Sequence, residues 1–332
     1  MKMISPIRSV RNLNNIFVMK KNSLIAVTFF LLCISCESPR ETTVVNDLRV
    51  EYMKNPVGID VNQPRFSWKM ESREKGVSQK AYTIMVSTDE SFKTIFWSSD
   101  EVLSDKSVHI VYSGPALKPA TRYFWKVQVK DQDSKYLLSK EKAFFETGLM
   151  DSGWSSAQWI KPNEEDTKRM APMFRTTCKL NKRISSARIY TSGLGIYEVF
   201  INGKRIGAPD ERGGREYEEF KPGWTDYTAT VFYSTCDVKD LLKQGENVIG
   251  AIVASGWWKG DIAFGKYGNP DLGFIAKLVV NYTDGTSETI VTDPKTWKYS
   301  LDGPILYSDI YHGEVYDARK ESAWTNSGFN DS

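Results

Sequence analysis

The chain has 332 residues, 44 Lys and Arg, 41 Asp and Glu, 41% hydrophobic residues and 13% aromatic residues, which is typical of a globular protein of about two domains. The first 35 residues hold five basic residues and no acidic one, so the formal net charge of +3 becomes about −2 without them, and this balance argues against a nucleic-acid partner. Ten Trp, 16 Tyr and 16 Phe beside only 2 His and 4 Cys argue against a metal or thiol enzyme and favour β cores and surfaces on which sugars stack.

The N-terminus has the pattern of a bacterial lipoprotein signal. Met19-Lys20-Lys21 precedes a short apolar run, Leu24 to Ile34, which cannot span a bilayer. A small residue and then Cys36 follow, as at a cleavage and acylation site. We therefore predict a signal region at residues 1–36, with its start at Met1 or at Met19. Lipidated Cys36 would anchor the chain to a membrane surface, in the periplasm or on the outer membrane. A plain secretory signal is the alternative and predicts the same extracytoplasmic compartment.

Alternating apolar runs between residues 46 and 148 predict a sandwich of antiparallel strands. The segment that ends at Tyr123 resembles the tyrosine corner of fibronectin type III domains, in which a buried Tyr returns its hydroxyl to the backbone. Trp68 stands where these domains have an early core Trp. His109 lies between Val108 and Ile110 in the alternation, so we expect those two in the core and the imidazole outside. The module is predicted to be a fibronectin type III or immunoglobulin-like sandwich.

The second half of the chain predicts another sandwich. Gly, Pro and charged residues at 149–172 are typical of a linker. Residues 173–332 resume the alternation, with hairpins predicted at Asn202-Gly203 and Asp284-Gly285. A helical turn capped by Asp237 is predicted up to Lys243. We predict an all-β chain whose second module is a jelly-roll sandwich.

Two cysteines lie in strand-like segments of this second module. The 58 positions between Cys178 and Cys236 do not decide between a disulfide and two buried free thiols.

Two clusters of aromatic and acidic residues are the candidate sugar-binding sites, because sugars offer CH faces to rings and hydroxyls to carboxylates. Both are flanked by Gly or Pro and are predicted to be loops at the rim of the second sandwich. Since adjacent strand residues face opposite sides, we expect one of the paired Trp side chains to bind sugar and the other to be core. The alternative is that these rings only pack the sandwich or dock on another domain. The candidates are Trp224, Asp226, Tyr227, Trp257, Trp258 and Asp261.

The remaining acids give no catalytic pattern, and we predict no catalytic residue in this chain. No spacing marks two carboxylates that face one pocket, and solvated acids are usual on loops. Asp317 and Arg319 alternate as on one strand, which predicts a structural ion pair between modules. His312 has no evident partner in the sequence.

A run of ordered motifs in the second half resembles bacterial α-L-rhamnosidases of glycoside hydrolase family 78. In this family an (α/α)6 barrel follows the β domains and carries the catalytic acid and the carboxylate that activates water. The chain stops after the last motif, so the resemblance implies an N-terminal accessory portion without that barrel, inactive by itself. The whole enzyme, with the barrel normally in the same chain, would hydrolyse terminal α-L-rhamnose from glycans or glycosides. The motifs include Ile201-Asn202-Gly203-Lys204, Pro222-Gly223-Trp224-Thr225-Asp226-Tyr227, Gly256-Trp257-Trp258 and Ser308-Asp309-Ile310-Tyr311-His312-Gly313-Glu314-Val315-Tyr316-Asp317-Ala318-Arg319.

Two other functions stay open at this point. One is a free-standing carbohydrate-binding surface lipoprotein without catalysis, and the other is a purely structural pair of sandwiches. Related jelly-roll modules of the family bind rhamnose through calcium, so the resemblance makes calcium a candidate ion, with no ligands assigned to it here. No other cofactor is expected.

Overall fold

The computed structural model describes residues 43–150, 153–163, 170–209, 214–262 and 271–331. The predicted signal region with Cys36 lies outside these ranges, as does the charged run at residues 164–169. Among the described residues, no helix has the length and apolar character needed to cross a membrane.

The first sandwich consists of a three-stranded sheet, β1-β3-β7, and a larger sheet with the order β2-β10-β8-β4-β5, to which β6 and β9 add at β4 and β8. Its strands are β1 (Thr43–Val50), β2 (Val57–Ile59), β3 (Arg65–Ser72), β4 (Gln79–Ser87), β5 (Trp97–Ser98), β6 (Val102–Leu103), β7 (Ile110–Val111), β8 (Arg122–Asp131), β9 (Tyr136–Leu138) and β10 (Ala143–Thr147).

The core of the first sandwich confirms the immunoglobulin-like prediction. Tyr123 is fully buried, and its hydroxyl accepts a hydrogen bond from the Lys118 backbone N–H at 2.8 Å, as a tyrosine corner requires. The buried Trp68 indole donates to Gln79 Oε1 at 3.0 Å. His109 is exposed as expected, but the prediction that Val108 is core was wrong, since Val108 is 56% exposed. The alternation fails there because His109 has a positive φ of 56°.

The second sandwich packs a five-stranded sheet, β14-β13-β18-β11-β21, against a four-stranded sheet, β17-β12-β19-β20. A short helix, α1, and two small hairpins complete it. The elements are β11 (Met173–Leu180), β12 (Ile184–Leu194), β13 (Ile196–Ile201), β14 (Lys204–Arg205), β15 (Ala208–Pro209), β16 (Arg215–Glu216), β17 (Ser234–Asp237), β18 (Gly245–Ala254), α1 (Gly256–Lys259), β19 (Gly273–Tyr282), β20 (Ser287–Val291), β21 (Lys298–Ser300), β22 (Ile305–Asp309) and β23 (Gly313–Tyr316).

The predicted turns of the second sandwich are confirmed. Asn202 and Gly203 both have positive φ, 51° and 81°, and join β13 to β14. Gly285 has φ 82° in the turn between β19 and β20. The predicted helical turn is a 3₁₀ turn at Lys239–Leu241, and the Asp237 carboxylate accepts the Lys239 backbone N–H at 3.1 Å.

The two sandwiches meet at a buried ion pair. Arg188 on β12 donates through Nε to Glu146 Oε1 at 2.7 Å and through Nη2 to Oε2 at 3.1 Å, and Glu146 belongs to β10 of the first sandwich. Both side chains are at least nine-tenths buried. Arg122 supports Glu146 from the first sandwich, and Asp237 supports Arg188 from the second. The pair therefore bonds the two modules at a site that water does not reach.

We expect Arg188→Ala to destabilise the chain by about 3 kcal/mol, because Glu146 keeps only Arg122 as a charged partner in a buried site. Urea unfolding would measure the loss. Arg319→Ala is the matched control, since that side chain is 89% exposed and its removal should change stability by less than about 0.5 kcal/mol. Equal unfolding midpoints for the two variants would contradict the role of the pair.

Both described cysteines are free thiols, which resolves the choice that the spacing left open. Cys178 lies on β11 and Cys236 on β17, in different sheets, and both pack against the core. Burial raises the pKa of Cys178 to about 11, with a smaller contribution from the Glu288 carboxylate. Burial also raises the pKa of Cys236.

We predict that Cys178 resists alkylation by iodoacetamide at pH 8, because the reactive thiolate is rare below its raised pKa of about 11. In the unfolded chain the thiol returns to its ordinary pKa and should react readily. Peptide mapping measures the extent of Cys178 labelling in buffer and in urea. A urea concentration of about 8 M is enough to unfold small domains. Equal labelling of Cys178 in both states would show that the thiol is not buried.

Candidate functional site

The two tryptophans of the predicted site lie in α1, not on a strand. The expectation that they face opposite sides of a strand was therefore wrong, since neighbours in a helix are separated by about 100°. Gly256 permits the change from β18 to α1, with a positive φ of 51°. A Cβ there would lie 2.8 Å from the Ile196 backbone nitrogen, so only glycine lets the chain turn this close to β13.

Trp257, Trp224 and Phe220 form one group of rings, called here the aromatic surface. The planes of Trp224 and Trp257 are parallel within 4°, with centroids 6.2 Å apart. Phe220 meets Trp257 edge to face at 5.8 Å. Phe220 is 56% and Trp224 49% exposed, while Trp257 is half-buried. The Trp224 and Trp257 rings are thus stacked on each other, and part of the aromatic surface is exposed to solvent.

Trp258 belongs to the interior side of the same helix. It packs against the core of the second sandwich, and its indole N–H donates to the Asp271 carbonyl at 2.9 Å. Tyr227 meets Trp258 edge to face at 5.1 Å, and burial raises the pKa of the Tyr227 phenol. Both Trp side chains are half-buried, and the helix rather than a strand directs Trp258 toward the core and Trp257 toward the aromatic surface.

The two candidate carboxylates are placed differently. Asp226 is exposed and accepts the backbone N–H and the hydroxyl of Thr228, and these bonds lower its pKa. Asp226 therefore stabilises the loop to which it belongs. Asp261 lies 3.7 Å from His312 Nε2, so the prediction that His312 has no partner was wrong. The pairing joins the end of α1 to the hairpin of β22 and β23.

Asp309 is the buried residue that holds these segments together. Its Oδ1 accepts the backbone N–H groups of Tyr311 and His312 at 2.8 and 2.9 Å, and its Oδ2 accepts that of Asp261 at 3.0 Å. Asp309 is only 5% exposed. A carboxylate bound by three backbone donors fixes where the chain leaves α1 relative to the hairpin.

A cleft of about 400 Å³ opens beside the aromatic surface. Its floor is the outer face of the five-stranded sheet, and Phe220 stands at its wall. The carboxylates of Glu198, Glu219 and Glu314 also line it, and its described lining contains no Lys, Arg or His. Glu198 is held by Arg205 at 2.7 Å and by the Lys221 ammonium at 3.2 Å.

The Asp317 and Arg319 prediction needs correction. The two side chains do form an ion pair at 2.8 Å, but they do not lie on one strand and do not link the modules. Asp317 caps the 3₁₀ turn at Ala318–Lys320 and accepts the Arg319 backbone N–H. The contact is local because the strand β23 has already ended at Tyr316.

Calcium stays an expectation that comes from the family resemblance. Within the ranges given above, no three His, Cys, Asp or Glu side chains are grouped so that they could hold a metal ion. We therefore assign no step to calcium.

Comparison with known families and structures decides the relationship. Residues 182–332 match the model of the α-L-rhamnosidase N-terminal domain, and residues 45–151 match that of the Rha78A-like N-terminal immunoglobulin domain. An α-L-rhamnosidase of Formosa agariphila is 33% identical over 95% of this chain. The α-L-rhamnosidase structure from Dictyoglumus thermophilum covers 87% of the chain with a TM-score of 0.75 and 34% identity. The two sandwiches therefore correspond to N-terminal domains found in α-L-rhamnosidases.

The match concerns one part of these rhamnosidases. The chain spans 36% of the Formosa agariphila protein and 33% of the Dictyoglumus thermophilum structure. The Streptomyces avermitilis α-L-rhamnosidase, solved in complex with L-rhamnose, gives a TM-score of 0.73 at 26% identity, and the chain covers 44% of it. The chain therefore corresponds to the N-terminal β domains of the family.

Three residues of this rhamnosidase region were missed by the sequence reasoning. Phe220 stands four residues before Trp224 and carried an aromatic signal that could have been used. Asp309 and His312 lie inside the recognised Ser308–Arg319 motif, but nothing local shows that they meet Asp261.

Proposed function

We propose that the chain is the N-terminal, non-catalytic portion of an α-L-rhamnosidase that removes terminal α-L-rhamnose from glycans or glycosides. Its second sandwich holds a rhamnose-containing carbohydrate on the aromatic surface. The observation that carries the binding proposal is the pair of parallel rings, Trp224 and Trp257, beside solvent. Pyranose CH groups pack on such faces, and carboxylates nearby accept hydroxyl donors.

The absence of catalysis in this portion is supported by how its carboxylates are used. An inverting glycosidase needs one carboxyl group as acid and a second as base across the scissile bond. Glu198 and Glu219 both pair with Arg205, and Asp309 is occupied by three backbone donors. The catalytic pair then belongs to the helical barrel that normally follows in the same chain of the family.

We also propose an extracytoplasmic location, with lipid on Cys36 anchoring the chain to a membrane surface. The support is the basic, apolar and small-residue pattern of residues 19–36.

We expect the purified chain not to hydrolyse 4-nitrophenyl α-L-rhamnopyranoside, because uncatalysed glycoside cleavage is extremely slow and we place the acid and base pair in the helical barrel. Release of nitrophenol over hours, compared with buffer alone, is the measurement. Turnover that disappears in Asp261→Asn or in Glu314→Gln would contradict the proposal, since it would place a catalytic carboxylate in this chain.

We expect Trp257→Ala to abolish L-rhamnose binding and leave the fold intact. Trp258→Ala should lower stability by about 2 kcal/mol or more, since its indole packs on the core and donates to the Asp271 carbonyl. Calorimetric titration with and without calcium, together with urea unfolding, separates the two effects. Tyr136→Ala, which removes an exposed ring of the first sandwich, is the control and should bind like the original chain. Unchanged binding in folded Trp257→Ala would remove the aromatic surface as the site.

A further inference from the structure

The outer face of the five-stranded sheet is covered at one end only. There, Trp324 lies against the cross-strand pair of Phe200 and Gly250, meeting the Phe200 ring edge to face at 6.1 Å. A Cβ on Gly250 would lie 2.6 Å from the Trp324 ring, so glycine makes room for the indole. This face is thus shaped to receive an aromatic ring from the chain itself.

The other end of the same face is the floor of the cleft. The next cross-strand pairs along β13 and β18 are Glu198 with Ile252 and Ile196 with Ala254, and all four residues line the cleft. Ile310 of the turn between β22 and β23 and Phe220 close it from the sides. Apart from Ser308 and the acidic residues, which include Asp309, the described lining is mostly aliphatic and aromatic.

The charge of the cleft restricts what can enter. Glu198, Glu219 and Glu314 line it, and no cationic side chain is among its described lining residues. Arg205 and Lys221 bond Glu198 and are not among those lining residues. An anionic ligand would therefore meet these carboxylates without a cationic side chain in the described lining to bind it. A neutral ring that packs on Ile196 and Ile252 suits this lining.

We propose that the cleft binds the neutral aryl or similarly apolar aglycone of a rhamnoside whose sugar lies on the aromatic surface. The proposal rests on the sugar site proposed above. Phe220 joins the two parts, because it contacts Trp257 and also lines the cleft. The substrate class that this portion selects is then an α-L-rhamnoside with an apolar, uncharged neighbour to the sugar.

The test compares three rhamnosides by calorimetric titration of the purified chain. We expect 4-nitrophenyl α-L-rhamnopyranoside to bind at least tenfold more tightly than methyl α-L-rhamnopyranoside, because only the aryl group reaches the cleft. The 4-carboxyphenyl rhamnoside should lose that advantage, since its anion faces Glu198 and Glu219.

Two variants locate the effect. Ala254→Phe fills the cleft and should lower the affinity of the nitrophenyl glycoside to that of the methyl glycoside, without changing the latter. Thr289→Phe is the matched control, since it adds the same ring to an exposed position on β20 of the opposite sheet. Ile252→Thr removes one carbon from the apolar floor and replaces another with a hydroxyl, and it should weaken aryl binding several-fold if Ala254→Phe does not fold.

The outcomes are distinct. Equal affinity for the methyl and nitrophenyl glycosides, unaffected by Ala254→Phe or Ile252→Thr, would overturn the cleft proposal and leave the sugar site standing. No binding of either glycoside would overturn both. An aryl preference that persists in both cleft variants would place the aryl group elsewhere and also overturn the proposal.

Discussion

The buried ion pair between Arg188 and Glu146 is the contact on which the relation of the two sandwiches depends. Both charges are largely removed from water, so loss of either one leaves the other in a buried site with only one charged partner. The cost of separating them favours one relative position of the modules. A second contact also joins the two sandwiches. The Tyr233 hydroxyl of the second sandwich donates to Asp60 and accepts the Leu149 backbone N–H of the first. The β2 and β17 strands consequently approach closely at Gly58, where a Cβ would meet Thr235 at 2.4 Å.

Within the second sandwich, Asp309 joins two segments at the rim, as Arg188 joins the two modules. It is a buried acceptor that three backbone donors from two segments share. The exit of α1 and the turn of the last hairpin are thereby held together, and the aromatic surface and the cleft become neighbours. The helix that carries Trp257 and the hairpin that borders the cleft are in this way fixed by backbone hydrogen bonds to one buried carboxylate.

What the sequence could predict was local or periodic. Tyr123 and the Asn202-Gly203 turn follow from patterns within a few residues, and both are as expected. The alternation that predicted Val108 as core failed because one residue with positive φ, His109, interrupts it. The strand assignment of Trp257 failed because a four-residue helix is too short to show a hydrophobic period. The need for glycine at position 256 comes from its close approach to Ile196 on β13, which is distant in sequence.

The parts of the site that escaped prediction depend on distant contacts. His312 and Asp261 are 51 positions apart, and their 3.7 Å approach exists only because Asp309 binds both segments. The cleft escaped for the same reason, since its floor comes from β13 and β18 and its wall from the last hairpin. No short stretch of sequence contains all the residues that line the cleft.

The Glu198 carboxylate of the cleft is positioned by two cations, Lys221 and Arg205, that are not among the described lining residues. The Lys221 side chain is only 2% exposed, and a buried ammonium needs a nearby anion and a polarisable neighbour. Glu198 supplies the first at 3.2 Å and the Tyr197 ring the second at 5.7 Å. Arg205 binds the same carboxylate from the side, and the Glu198 carboxylate raises the pKa of that guanidinium. The Glu198 carboxylate is therefore held in place by the fold itself, and because both cations that bond it are absent from the described lining, the cleft combines an oriented acceptor with an apolar floor.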